Sequence, residues 1–362
     1  MANTATHSSV VATRHLSDFF REFVRRNKYA KYSGTSSNNV IVMKEERVTG
    51  RQKINVPAVG RLSGDGVSGT STLRGSGEAM KNFGMDLTPT YRRNAVEFTK
   101  EDLEKPNFDM FAAARPQLMD WAMEKHRDLT VIALESITNA GAQVTYADAT
   151  EAHKDAWLVD NVDRVLFGAL KSNDDGPGDH SAALDNVDTT NDKLDASMAQ
   201  LAKRIAKTAS PRIQPIRVND DEEWFVGFCD ELSFRDLSAD STITQATREA
   251  WSRGANNPLF TGGDLIYDGM IFREVEDMNQ VTGVGATTSD VGRMVLCGQQ
   301  AVAWAIGRRP IVITDLDEDY EFQPGIAIEL KDDIAKYVIE YTTGRYVDWG
   351  QVVVYTSATA DS

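Results

Sequence analysis

The chain has 362 residues, 41% of them hydrophobic and 26% charged, with a formal net charge of −15 at pH 7. That length supports two or three packed layers, or one large domain with insertions, and the composition is that of a soluble globular protein. It excludes a collagenous or disordered chain, and no apolar run approaches the ~18 residues of a membrane span.

The charge is unevenly placed. Residues 1–100 hold 16 Lys/Arg against 8 Asp/Glu, a net of +8, and residues 101–362 hold 23 against 46, a net of −23. A general nucleic-acid binder is thereby excluded, because most of the surface repels phosphate. The asymmetry suits a molecule whose basic part lies on the acidic part of another copy; evenly solvated faces are the alternative.

The first residues, "MANTATHSSVVATRHL", form a polar tail without the basic-then-apolar design of a secretory signal. In "HLSDFFREFVRRNKY", Leu16, Phe19, Phe20, Phe23 and Val24 fall on one helical stripe, with Arg21, Arg25 and Arg26 opposite and Ser17 as N-cap. So short a helix must be docked to persist, on its own subunit or on a neighbour.

Residues 38–100 read as extended. "NNVIVMKEERV" and "RQKINVPAVGRL" predict strands, a glycine-rich stretch follows, and "MKNFGMDLTPTYRRNAVEFT" returns as strand. Within the glycine-rich stretch, Gly64, Gly66 and Gly69 have the G-x-G-x-x-G spacing of a dinucleotide loop. That loop works only where its last glycine opens a helix whose amides face the pyrophosphate. Here "TSTLRGSGE" follows, poor in helix formers and broken by Gly75 and Gly77. The glycines therefore describe a pliable limb between two strands rather than a nucleotide cradle.

Thr99 with Asp102 resembles a capping box for a short turn, closed by Pro106. A long helix is expected at about 115–140, with Pro116 in its first turn and Gly141 as its stop. Leu118, Trp121, Ala122, Leu129 and Ile132 line one side of it, and Met119, Met123, Val131 and Leu134 another, so it is covered on more than one side. A second helix is predicted in "TEAHKDAWLVDNVDRVLFGALKS" through Leu158, Val162, Val165, Leu166 and Leu170. An acidic surface loop comes next, then a third helix through Leu194, Met198, Leu201 and Ile205. Strands dominate from Ser210 onward, interrupted by helical "LSFRDLS" and "TITQATREAWSRG".

Chemistry is not nominated anywhere. Ser68 lies in "GVSGT", with its second glycine one place too early for a hydrolase elbow. No H-E-x-x-H occurs, and His7, His15, His126, His153 and His180 are scattered. Cys229 and Cys297 sit in apolar contexts and read as reduced, buried thiols. "DLDEDYE" (315–321) has Tyr320 where a calcium loop needs glycine and Ile326 where it needs a carboxylate, so it reads as a solvated acidic turn. Asp174/Asp175 and Asp185/Asp188 select no ion. No catalytic, cofactor-binding or metal-binding residue is assigned.

Three stretches carry a resemblance: "WFVGFCDELSFRDL" (224–237), "NPLFTGGDLIYDGMIFREV" (257–275) and "CGQQAVAWAIG" (297–307). In their order, and with the arm, glycine-bearing loop and long helix before them, the chain resembles major capsid proteins of tailed double-stranded-DNA bacteriophages, in the N4-like coat protein branch. The resemblance implies an α+β Hong Kong 97-like fold. It places an N-terminal arm at 1–37, an extended loop at 38–105 and a peripheral domain with spine helix at 106–144. An axial domain follows at 145–325, then closing peripheral strands at 326–362.

It further implies a non-enzymatic subunit, without cofactor, of an icosahedral virion shell made in the host cytoplasm. Copies would form hexamers and pentamers around packaged DNA bound without sequence specificity. The short segment before the spine helix leaves little room for a built-in scaffold, so a separate scaffolding protein is expected, beside a portal and decoration proteins. Some relatives crosslink a loop Lys to a neighbour's Asn; no such pair is assigned here. A bacterial nanocompartment shell protein of the same fold, or an unrecognised enzyme, are the alternatives. The expected inter-subunit residues are Arg61, Gly64, Gly66, Gly69, Arg74, Gly75, Gly77, Arg92 and Arg93.

Overall fold

The computed structural model describes residues 27–46, 52–62, 64–70, 72–104, 109–174, 178–218, 222–251, 265–276, 278–315 and 322–360. The amphipathic stretch at 16–26, most of the acidic turn at 315–321 and Pro106 lie outside them. Among the described residues no helix is long and apolar enough to cross a membrane.

In chain order, β1 (Ser33–Gly34), β2 (Ile41–Glu45), β3 (Ile54–Val59), β4 (Asn82–Leu87) and β5 (Thr90–Glu97) come first, then α1 (Lys100–Glu104) and α2 (Met110–Glu135). The hairpin β6 (Ile137–Asn139) and β7 (Ala142–Val144) leads to α3 (Glu151–Asn161), β8 (Val165–Phe167), α4 (His180–Asp185) and α5 (Ala196–Thr208). Next are β9 (Ile216–Val218), β10 (Glu222–Cys229), α6 (Glu231–Ala239), α7 (Ser241–Trp251), β11 (Leu265–Tyr267) and β12 (Met270–Glu274). The chain closes with β13 (Val281–Gly285), β14 (Ser289–Cys297), β15 (Val302–Asp315), β16 (Gly325–Lys336), β17 (Val338–Thr342), β18 (Arg345–Asp348) and β19 (Gln351–Ser357).

Two sheets organise these elements. A five-stranded sheet runs β1-β2-β15-β16-β5, and an eight-stranded one runs β11-β12-β10-β14-β19-β8, with β9 on β10 and β13 on β14. The helix α2 ties them together. Its Ala114, Leu118 and Ala122 pack with Ile326, Ile328 and Leu330 of β16. Its last turns send Val131, Ala133 and Leu134 into a second core with Val295, Cys297 and Val302. Covering on more than one side is thus observed, although Met119 and Ile132 remain exposed.

The helix is displaced from its expected span. Asp109 accepts hydrogen bonds from the backbone N–H groups of Phe111 and Ala112 and so caps a start at Met110. Pro116 lies inside the helix rather than in its first turn. Gly141 does not end it either: Ala140 and Gly141, both with positive φ, form the tight turn of the β6–β7 hairpin. The second predicted helix stops at Asn161, and Val165 and Leu166 belong to β8, a fully buried strand parallel to β19. The acidic loop contains α4, whose His180 is completely buried. The third helix falls where its period puts it, with Met198, Ala202 and Ile205 against the eight-stranded sheet. Both cysteines are free and buried on the central strands β10 and β14, and burial pushes both thiols up.

Two histidines give the fold a definite acid response. His180 packs among Tyr146, Trp157, Phe167 and Tyr355, and burial pushes its pKa down to about 3. His126 stacks edge-on against Trp304 and is pushed down, again by burial, to about 4. Above the unfolded value both states are neutral and the histidines add no pH dependence. Below about pH 6.5 only the unfolded state gains protons, so stability is lost as pH falls toward the folded values. Burial raises Asp332 and Asp333, which act in the opposite sense. The difference between wild type and His180→Phe isolates the histidine. Chemical denaturation between pH 6.5 and 5 should show the variant's stability slope reduced by about 1 kcal/mol per pH unit on average.

Candidate assembly surface

The limb at residues 54–87 is built on the antiparallel pair β3–β4, in register from Ile54 opposite Leu87 to Val59 opposite Asn82. Alternation decides how its base sits. Ile54, Val56 and Ala58 face inward while Asn55, Pro57 and Val59 face out. The inward residues, with Leu87, Phe83 and Met85, pack on Ala303, Ala305, Tyr337 and Ile339 of the body. The Tyr337 hydroxyl donates to the Val56 carbonyl at 2.8 Å. Across the pair, Asn55 donates to Asp86 at 2.8 Å and Lys53 lies 3.4 Å away, and together they hold the Asp86 carboxyl below its ordinary range.

Beyond Val59 the two arms of the limb are held to each other by few contacts. The Gly60 N–H donates to the Lys81 carbonyl at 2.7 Å, and the Gly64 N–H to the Glu78 carboxylate at 2.6 Å. Gly66 and Gly75 take φ of +70° and +92°, a region that favours glycine, and a Cβ at either would meet nothing within 4 Å. Gly69 and Gly77 are equally open. Arg61 and Arg74 are exposed on the same stretch. So are apolar side chains: Leu62 is 59%, Leu73 68% and Met80 60% exposed. Among the described residues no helix follows Gly69 before β4, so the helix that a dinucleotide loop needs is not seen there.

Arg92 and Arg93 stand apart from the glycine stretch, on the strand expected within 80–99. Both belong to β5, paired with β16 in the five-stranded sheet. Arg92 is ion-paired to Asp332 of its own subunit and donates to the Asp332 carbonyl as well, so it is not free to meet a neighbour's acidic surface. Arg93 is exposed on the open face of that sheet. In the register it shares that face with Ile311, Ile313, Glu329 and Ala327.

One feature of this surface has no sequence-level signal. A cleft of about 840 Å³ lies between the base of the limb and the body, bringing Arg61 and Lys81 together with Arg212, Arg217, Gln214 and Trp349. Among the described residues no Asp or Glu lines it. It is assembled from segments at 57–61, 208–217, 299–300 and 341–349, so no local spacing could reveal it.

Elsewhere, Glu151, Asp155 and Asp179 converge within ligand distance of one another. Two of these carboxylates have backbone work: Asp155 accepts the His180 N–H, and Asp179 caps α4 through the Ala182 N–H.

A family model described as phage capsid protein matches residues 3–360. The major capsid protein of Pseudomonas phage KPP25 is 25% identical over 353 residues, covering 90% of each chain. The capsid asymmetric unit of cyanophage Pam1 superposes with a TM-score of 0.86 at 28% identity, covering 100% of both chains. The capsid of Ralstonia phage GP4 shares the fold, with a TM-score of 0.76 at 18% identity over 100% of both chains.

Proposed function

This chain belongs to the phage capsid protein family, and on that premise we propose that its limb is the tether by which copies close into an icosahedral shell around double-stranded DNA. The protein is a virion shell subunit with the Hong Kong 97-like fold. In our reading the arm is 1–37, the extended loop 38–105, the spine-helix segment 106–144, the axial domain 145–325 and the closing strands 326–362. Hexamers and pentamers of this unit enclose DNA without sequence specificity, and the acidic bulk of the surface keeps the shell from gripping its cargo. The subunit performs no reaction. It is made in the host cytoplasm and works with a separate scaffolding protein, a portal and decoration proteins.

The observation that carries the tether is the row Leu62, Leu73 and Met80, apolar side chains about three-fifths exposed on a limb whose tip touches little of its own body. Apolar area of this kind is covered where subunits meet, and exposed ion pairs from Arg61 and Arg74 mainly set register. Expressed with its scaffold, the protein should sediment as large particles visible by negative-stain microscopy. A compact monomer with measurable nucleotide affinity would contradict the reading.

A further inference from the structure

We propose that the cleft beside the limb receives the acidic turn at 315–321 of a second copy of this chain, an inference that rests on the shell reading above. The cleft holds four cations, Arg61, Lys81, Arg212 and Arg217, and among the described residues none of them has a carboxylate at ion-pair distance. Their immediate neighbours differ: Lys207 pairs with Glu223 and Lys203 with Asp268, each at 3.1 Å. In a chain of net charge −15, a concavity whose described lining holds four cations and no Asp or Glu is a site for an anionic partner. A volume of about 840 Å³ takes a peptide turn and does not admit a nucleic-acid duplex.

The chain carries a matching anion. Asp317, Glu318, Asp319 and Glu321 place four carboxylates in five residues, with no Lys or Arg among them. The strand that leads to this stretch starts beside its own cleft and carries the chain away. Gln299 and Gln300 line the cleft, and β15 begins two residues later at Val302 and runs out to Asp315. Its 14 residues, paired along β16, span roughly 40 Å at about 3.3 Å per residue. The paired strands β15 and β16 thus stand between the cationic socket and the acidic stretch of the sequence. Complementary patches at opposite ends of one subunit make a heterologous, head-to-tail contact, the kind that generates rings and closed shells. Charge complementarity here would choose partner and register more than it adds affinity.

Carbodiimide treatment of assembled shells tests this directly, because that reagent joins an amine to a carboxylate already in contact with it. Mass spectrometry should find Lys81 bonded to a carboxylate of the 315–321 peptide, and shells mixed from light and heavy-isotope subunits should show the bond across labels. Lys81 bonded only elsewhere, or left unlinked while other lysines react, would overturn the proposal. Charge reversal gives a second arm. R212E/R217E and D317K/E318K/D319K should each lower the yield of closed particles by on the order of tenfold, and their combination should restore it. Failure of the combination to restore particles counts against the pairing. So does a single-stranded oligonucleotide that binds wild-type shells and is lost from R212E/R217E, which would assign the cleft to nucleic acid. A wild-type chain that forms no particles contradicts the shell reading itself; particles without the Lys81 bond contradict only this inference.

Discussion

Deletion of residues 62–76 should leave a folded subunit that no longer closes shells. The physical ground is that the tip does little for its own subunit. Within the described residues of that stretch, the backbone contacts are the Gly64–Glu78 hydrogen bond and the turn in which the Ser76 N–H donates to the Leu73 carbonyl. The docked base, held by Ile54, Val56, Ala58 and Leu87, is untouched. Loss of exposed loop residues should change unfolding stability by no more than roughly 0.5 kcal/mol. Assembly is another matter. Leu62 and Leu73 each stand to gain about 1–2 kcal/mol when a neighbour covers them, and the gain recurs in every subunit of a closed particle. Particle yield, read by sedimentation, should fall at least tenfold on the order of one such contact. Unimpaired assembly of the deletion variant would remove the tether.

Asp348→Ala is expected to do the reverse, damaging the subunit before assembly begins. Asp348 and Lys336 are completely buried and 2.8 Å apart. Around them, Lys336 Nζ donates to the Ser136 carbonyl at the end of α2, and the Trp157 indole N–H donates to Asp348 at 3.0 Å. The Asp348 N–H donates to Asn161 at 2.9 Å, and Arg164 donates to the Asp348 carbonyl. The cluster thus joins the end of α2, α3, β16 and β18 at one point. Burial pushes the Lys336 pKa down, opposed by Asp348. Without Asp348 the ammonium is buried and unpaired, which costs about 3–5 kcal/mol, a large part of the ~5–15 kcal/mol that holds a domain folded. Thermal unfolding should shift down on the order of 5–10 °C. Lys336→Met in the same chain removes the stranded charge and should recover part of the loss. A wild-type melting temperature for Asp348→Ala would show that the pair is not structural.

The parts of this molecule that the sequence makes legible are those specified locally. Leu194, Met198, Leu201 and Ile205 place α5 through their spacing alone, and the glycines after Gly69 exclude a nucleotide loop because no helix can start there. Where spacing is ambiguous, the reading slips. Val165 and Leu166 continue the helical stripe from Leu158, yet with Phe167 they are buried in a short strand inside a sheet, and a short apolar run fits both. Pro116 is a plausible first-turn residue, but the cap at Asp109 determines the start, seven residues ahead of the proline.

The site divides in the same way. Arg61, Arg74 and the limb glycines stand exposed as composition implies, while the partner of Arg92 is 240 positions away along the chain and invisible to local reading. The cationic cleft and the Lys336–Asp348 pair are likewise products of tertiary closure. Nothing distinguishes Lys336 in "KDDIAK" from a solvated lysine until α2, α3 and β18 surround it.

A cryo-electron-microscopy reconstruction of the assembled particle, resolving side chains at 60–81, weighs the whole account. Leu62, Leu73 and Met80 should rest against an adjacent molecule, their apolar surface hidden there. If that stretch is instead seen curled onto the body it came from, enclosing a small ligand, the limb is no bridge and the explanation of assembly fails.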